Sequence, residues 1–320
     1  MGWKWSDDVI NIVYACNKEY IRQTVISMVS VLKHNRKVKF YLVLDGCSDE
    51  EKTFVQYYLS KYNSSAEIFD MRQIFPFIDF DKEDRHPETI YVKLFLDQII
   101  EDEKVLYLDS DVIVCDTLEP LFERDMINEI AAGVLMPYSP KVKERTGTTP
   151  GEPYICDGVV IFNLKRWKAE KKSELCLQYI LENHGCPPML SEGTLNRIAE
   201  GEMGVLVPRY NQMPSMLAYN LGQIRSLFKA DYYYDDVAQM VAARENPAII
   251  HFMNELYNRP WCEPCEHPFK EKYLNIENDI FGINFSIKKN LSWHTQVTVF
   301  IKKKIPFCFF RWLYQRKNRL

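Results

Sequence analysis

Hydrophobic positions along the first third of the chain alternate between strand-like runs and helical spacing. Asn11 to Cys16 is a short apolar run that reads as a strand, and Asn17-Lys18-Glu19-Tyr20 turns the chain. Ile21, Val25, Met28, Val29 and Leu32 then recur at the spacing of a helix. Phe40 to Leu44 is a second strand, and Ser48-x-x-Glu51 is a capping box that opens another helix. Strand followed by helix, twice, predicts a parallel sheet covered by helices. Ile90 to Ile100 reads as a helix carrying Lys93 and leading into the apolar run Lys104–Leu108, a buried central strand.

Further on, Ala131 to Met136 and Val159 to Phe162 predict strands, separated by the polar stretch Lys141 to Pro153, long enough to act as a lid. Trp167 to Glu182 and Gly193 to Glu200 read as helices, and Val205 to Val207 and Ala248 to His251 as short strands. No internal repeat or low-complexity segment interrupts the chain, and no linker is visible before about residue 275.

The strand Lys104–Leu108 ends on Asp109-Ser110-Asp111. Acids one residue apart in extended backbone project to the same side. Two hard oxygen ligands at that distance repel unless a cation lies between them, and the carboxyl end of a strand is where open α/β sheets bind ligands. The position therefore points to a divalent metal presenting a diphosphate. An Asp-x-Asp alone is more often a solvated turn; here apolar sequence flanks it on both sides, with Val112 to Val114 following. A phosphatase of haloacid dehalogenase type also places Asp-x-Asp after a strand, with the first acid as nucleophile. That motif usually opens its chain, whereas this one lies a third of the way in.

Composition narrows the class. The 320 residues are 47% hydrophobic and 26% charged, which excludes disorder over most of the chain and suffices for one large domain with an appendage. The net charge of −4 hides an asymmetry. Nine of the 40 cations and none of the 44 acids follow Asp279, so the body carries −13 and the tail +9. The nine scattered cysteines suit a reducing compartment. No signal peptide is evident, and no segment approaches the ~18 uninterrupted apolar residues of a spanning helix. Met1-Gly2-x-x-x-Ser6 matches the N-myristoylation pattern weakly.

Three ordered segments carry a family resemblance: Val105-Leu-Tyr-Leu-Asp109-Ser-Asp111-Val-Ile-Val, Asp157-Gly158-Val-Val-Ile-Phe-Asn163-Leu-Lys-Arg-Trp167, and His251-Phe252 with Arg259-Pro260-Trp261. Together, from about Asn11 to about Trp261, they resemble the retaining nucleotide-sugar glycosyltransferases of family 8, which include lipopolysaccharide galactosyl- and glucosyltransferases and glycogenin. The resemblance implies a GT-A fold, with a Rossmann-like mixed sheet flanked by helices. It also implies a UDP-sugar donor and a manganese or magnesium ion held by Asp109, Asp111 and His251. On residues alone, His251 reads more readily as a satisfied histidine at the edge of the core than as a metal ligand. Ala15, Asn17 and Tyr20 fall in the turn that holds uridine in the family, with Tyr20 placed to stack on uracil. Ser110 and Lys93 lie against the donor, and Asn254 and Arg259 stand near the diphosphate.

Departures from the family pattern bear on mechanism. The segment from His251 to Trp261 is two residues longer than His-x-x-Gly-x-x-Lys-Pro-Trp, with Asn254 in place of Gly and Arg259 in place of Lys. Cys156-Asp157-Gly158 puts a carboxylate where Asn is usual, and Ser191-Glu192 replaces Asp-Gln. Retention can run through a carboxylate nucleophile or through same-face attack. Glu192 is the first candidate nucleophile or stabiliser, and Asp157 the second.

Trp261-Cys262-Glu263-Pro264-Cys265 looks like a thioredoxin redox motif, but it lies late in a large domain rather than after a central strand near the start of a small one. Zinc at Cys262, Cys265 and His267 lacks a fourth ligand. Residues 288–320 mix aromatics with cations, as interfacial segments do, with Phe309, Phe310 and Trp312 placed to insert. The alternative is a basic helix packed on the acidic body, whose charge disfavours nucleic acid.

The sequence thus predicts a GT-A catalytic domain over 1–275 and a membrane-associating tail over 276–320. The expected protein is a cytoplasmic enzyme on the inner face of the plasma membrane, moving galactose or glucose from a UDP-sugar to a surface glycan or glycolipid. The alternatives are the phosphatase and a non-catalytic membrane-associated scaffold.

Overall fold

The structure is a computed structural model and describes residues 9–74, 88–283 and 305–317. Residues 1–8, and with them the myristoylation pattern, lie outside the described residues, as do 284–304 and 318–320 of the basic tail.

Seven strands form one mixed sheet. They are β1 (Ile10–Asn17), β2 (Val38–Asp45), β3 (Ala66–Asp70), β4 (Lys104–Leu108), β6 (Ala131–Leu135), β7 (Ile155–Asn163) and β8 (Met203–Val205), in the order β3-β2-β1-β4-β7-β6-β8. Two further strands among the described residues, β5 (Val112–Val114) and β9 (Ile249–His251), pair separately. The first four positions are parallel, and β7 enters antiparallel to both β4 and β6. Every residue from Ile10 to Cys16 is buried, so both faces of β1 are covered, as expected of a parallel sheet. The helix Ile21–His34 packs with the helices Asp49–Ser60 and Lys270–Phe281. The 3₁₀ helix Glu88–Gln98 packs with Leu164–Ala169, Lys172–Glu182 and Leu190–Ile198.

Local chemistry explains most boundaries. Ser48 and Glu51 exchange both bonds of the predicted capping box, an arrangement in which the cap alone contributes about 1 kcal/mol. The expected α-helix Ile90–Ile100 is instead 3₁₀ in character and kinks at Phe95, φ −127°. The expected helix over Trp167–Glu182 is two, broken at Lys171 with φ 55°. Strand β7 starts at Ile155, four residues before the predicted Val159, so Asp157 and Gly158 lie in the strand. Strand β8 ends at Val205 rather than starting there. The edge strand β3 and the helices Pro214–Ala218, Leu221–Phe228, Val237–Glu245 and Lys270–Phe281 lie outside the segments read from the sequence. The last of these runs through position 275, with Tyr273, Glu277 and Ile280 buried.

Two expectations of mobility and exposure are corrected. The stretch Lys141–Pro153 begins within a short helix, Pro140–Arg145, and is tied down from inside. Lys143 is fully buried, with its ammonium 2.6 Å from the Asp231 carboxylate and donating to the Glu152 carbonyl at 2.7 Å. In the C-terminal helix Phe307–Lys317, Phe310 is buried beside Tyr219 rather than free to insert, and Tyr314 meets Phe228 edge-on at 5.5 Å. Gln315 donates to the Ser226 carbonyl at 2.6 Å and fixes the helix to the end of Leu221–Phe228. Phe309 and Trp312 stay about half exposed, stacked at 5.8 Å, with Arg316 over the Trp312 ring.

Candidate metal and nucleotide site

Strands β1 and β4 are parallel neighbours, so their carboxyl ends open on the same side. Strand β1 pairs with β2 on one edge and with β4 on the other, which makes this a topological switch point. A cleft of about 280 Å³ lies there, its lining including Ala15, Asn17, Tyr20, Ser110, Asp111 and Arg259. Asp109 lines it too. Asn17 caps the following turn by accepting from the Glu19 amide at 3.1 Å. Asn254 is exposed in the turn after His251 and is not among the lining residues.

The two acids belong to different sheets. The Asp109 amide donates to the Gly158 carbonyl at 2.8 Å, continuing the β4–β7 ladder. Beyond Ser110 the chain leaves that sheet, and β5 pairs antiparallel with β9, Val112 opposite His251. The Phe252 amide donates to the Asp111 carbonyl at 2.9 Å. At the fork, the Ser110 hydroxyl accepts from Thr24 at 2.8 Å, and Ser30 accepts from the Val114 amide at 2.8 Å, so the helix Ile21–His34 braces both arms.

This pairing brings three ligand-type side chains together. His251 Nε2 lies 3.1 Å from Asp111 Oδ1 and 3.9 Å from Asp109 Oδ2. Its Nδ1 faces Asn211 Oδ1 at 3.0 Å, which orients the ring. One ligand atom from each of Asp109, Asp111 and His251 lies within 4.8 Å of the others, and carboxylate and imidazole are donors that manganese and magnesium accept. The residues therefore fit a divalent ion. Gly158 leaves the room for them: a Cβ there would sit 2.4 Å from His251 Cε1 and 2.6 Å from Asp109 Oδ2.

Cations hold the acids. Arg259 donates to Asp111 Oδ2 at 2.8 Å and to the Tyr20 hydroxyl at 2.7 Å, linking the metal group to the nucleotide turn. Lys93, buried over the Tyr107 ring, lies 3.4 Å from Asp109 and 3.0 Å from Asp157. Burial opposes ionisation of Asp111, but His251 and Arg259 outweigh it and hold its carboxyl well below the usual range. Burial likewise opposes charging His251, and Asp111 overcomes it, raising the imidazole.

Behind Lys93 stand the other two carboxyls. Asp157 Oδ2 accepts from the Ser191 hydroxyl at 2.6 Å, and Glu192 Oε1 accepts from Tyr138 at 3.0 Å. Burial, reinforced by the Asp157 charge, pushes the Glu192 carboxyl up to about 8. Asn211, Tyr138, Thr24 and the brace from Ser30 were not readable in sequence, since each acts across a long stretch of chain with no motif of its own. The Trp-Cys-Glu-Pro-Cys segment is structural here: Cys265 donates to the Asn258 carbonyl at 3.0 Å, and burial raises its thiol, the opposite of a redox cysteine. Among the described residues, Cys262, Cys265 and His267 do not gather as a ligand set.

The model of the Glycosyl transferase family 8 matches residues 11–265. This chain belongs to glycosyl transferase family 8. Among family 8 relatives, glycosyltransferase GlyA of Streptococcus pneumoniae is 26% identical over 261 residues, 81% of this chain and 33% of GlyA. Lipopolysaccharide 1,2-glucosyltransferase of Escherichia coli K12 is 23% identical, over 85% of this chain and 79% of its own. The chain thus spans about a third of GlyA and most of the Escherichia coli protein. The galactosyltransferase LgtC, solved with donor and acceptor sugar analogs, superposes with a TM-score of 0.68 at 20% identity, over 86% of this chain and 97% of LgtC. That likeness shows the family 8 GT-A fold. Family membership sets aside the phosphatase alternative.

The raised Glu192 carboxyl has a measurable consequence. Between pH 4.5 and about 8 the unfolded chain has lost this proton while the folded chain keeps it. The folded state then binds more protons, so its stability falls as pH rises through that window. Thermal unfolding of the native chain is expected to drop relative to Glu192→Gln across that range; parallel curves would show that Glu192 ionises freely in the fold.

Proposed function

We propose that this protein is a metal-dependent, retaining hexosyltransferase that moves galactose or glucose from a UDP-sugar to a hydroxyl of a surface glycan or glycolipid. The observation that carries the reading is the Asp109–Asp111–His251 group beside a cleft lined by Asn17 and Tyr20. A divalent ion held by these three residues would neutralise charge gathering on the departing UDP.

The remaining steps fall to the chain itself. Tyr20 offers a ring to the uracil, and Arg259, anchored on Tyr20 and Asp111, can turn its guanidinium to phosphate oxygens. Lys93 and Ser191 hold the Asp157 carboxylate one residue from Gly158 and the metal group. We therefore assign Asp157 to face the sugar carbon as its positive charge grows. Glu192, protonated at neutral pH, keeps a hydrogen-bonding role, which reverses the order of the two acids expected from sequence.

The exposed pair Phe309 and Trp312, with Arg316 and Lys317 on the same short helix, supports peripheral attachment to an anionic leaflet on the cytoplasmic side. No described helix is long and apolar enough to cross a membrane.

Manganese-dependent UDP release should appear with one member of a UDP-sugar panel and vanish in Asp111→Asn. Asp157→Asn should lower kcat by about 100-fold, in the range of a lost electrostatic stabiliser, and Glu192→Gln by much less. No release from any sugar would favour the non-catalytic scaffold. Separately, Phe309→Ser with Trp312→Ser should reduce sedimentation with phosphatidylglycerol vesicles, and unchanged sedimentation would remove the membrane assignment.

A further inference from the structure

Lys93 joins the metal group to Asp157, and where its ammonium sits depends on the helix Glu88–Gln98 that carries it. That helix is irregular. An eleven-residue run of 3₁₀ type has weaker internal hydrogen bonds than an α-helix, and this one also breaks at Phe95, with φ −127° and ψ 22°. Its shape therefore depends on support from outside.

The support arrives one residue after Lys93. The Leu94 carbonyl accepts from Trp167 Nε1 at 3.2 Å, and the Ser173 hydroxyl lies 3.0 Å from the same oxygen. The indole N–H is also 3.0 Å from the Ser173 oxygen, and the Ser173 proton reaches the Asp97 carboxylate two residues past the kink. All four residues are buried. The break at Lys171 brings the two clamping side chains together, since its φ of 55° turns the chain between the helices Leu164–Ala169 and Lys172–Glu182. Ser173, in the first turn of the second helix, thereby meets Trp167 of the first. Trp167 also packs edge-on against Phe162 of β7 at 5.3 Å, on the strand that carries Asp157. The indole thus spans from the Asp157 strand to the Lys93 helix. Lys93 Nζ closes the same gap from the other end, 3.0 Å from Asp157 Oδ2 and donating to the Asp157 carbonyl at 3.0 Å.

We propose that Trp167 and Ser173 are positioning residues for Lys93: gripping the Leu94 carbonyl and Asp97 on either side of Phe95, they hold the kink that sets the ammonium between Asp109 and Asp157. The inference rests on the transferase reading above. Neither residue lines the nucleotide cleft, so both act through geometry. A buried ammonium shared by two carboxylates is poorly screened and its effect depends on where it sits, and a misplacement of about 1 Å can cost ~100-fold in rate. Thr89 and Ile90, which do line the cleft, precede Lys93 on the side away from the kink, so nucleotide contacts are expected to survive a loosened clamp. A pair that merely fills the core would affect stability without any dependence on Lys93.

The test is UDP release by the full chain with manganese, from the UDP-sugar that the native chain turns over. The variants are Trp167→Phe, Ser173→Ala, Ser173→Thr and Lys93→Gln, with the first two also combined with Lys93→Gln. UDP–manganese affinity checks folding in each. Trp167→Phe retains a ring against Phe162 and loses the donor. It and Ser173→Ala should each lower kcat about tenfold or more, with KM within about twofold of native. Ser173→Thr, which keeps the hydroxyl, should recover most of that loss. In the Lys93→Gln background both should change kcat by less than about twofold, because the group they position is gone. Should Ser173→Ala fail to bind UDP, Trp167→Phe is read in its place. Native kcat in the clamp variants, or a tenfold loss that persists with Lys93→Gln, overturns the inference alone. Where Lys93→Gln does not bind UDP the rescue decides, and Ser173→Thr no better than Ser173→Ala overturns it. A native chain that releases UDP from no sugar overturns the transferase reading, and the positioning role with it.

Discussion

The active end of this molecule depends on one fork in the backbone. At Ser110 the chain passes from the β4–β7 ladder into the β5–β9 ladder, so that Asp109 is held by the Gly158 carbonyl and Asp111 by the Phe252 amide. Each ladder delivers something the other lacks: β7 carries Asp157 and Gly158, and β9 carries His251. Antiparallel register is set residue by residue, and a slip of one would turn His251 away from the acids. The site is therefore as rigid as the pairing of two short strands, and the braces from Thr24 and Ser30 fix the fork from below.

Placing three carboxyls near one another at the edge of a core is electrostatically unfavourable without cations among them. Here Lys93 bridges Asp109 and Asp157, and Arg259 and His251 serve Asp111. Glu192 has Tyr138 as its donor and is driven toward its neutral form. The environments differ: His251 and Arg259 hold the Asp111 carboxyl well below its usual range, while burial pushes the Asp109 and Glu192 carboxyls up. Of these cations Arg259 also lines the cleft, so the group that balances Asp111 presents positive charge there.

Much of this was legible in sequence where the signal is local. The strand Lys104–Leu108 matches at both ends because its apolar run is bounded by charge, and the capping box at Ser48 appears with both of its bonds. What failed was set by distant contacts. The stretch Lys141–Pro153 looks like a lid because it is polar, yet Lys143 is drawn inside by Asp231, nearly ninety residues on. Phe310 looks like a membrane anchor until Tyr219 covers it. Asp157 and Glu192 are both visible as departures from a family pattern; their partners Lys93, Ser191 and Tyr138 are not, because only the fold brings these together.

The claim on which the rest stands is that β5–β9 pairing makes one divalent-metal site from Asp109, Asp111 and His251. Manganese binding in the presence of UDP, followed by electron paramagnetic resonance, tests it most directly when the native chain is compared with Gly158→Ala and His251→Ala. The account predicts a single site in the native chain, weakened at least about tenfold in both variants, on the scale seen when the groups around a metal are disturbed. Equal manganese affinity in all three proteins would contradict it.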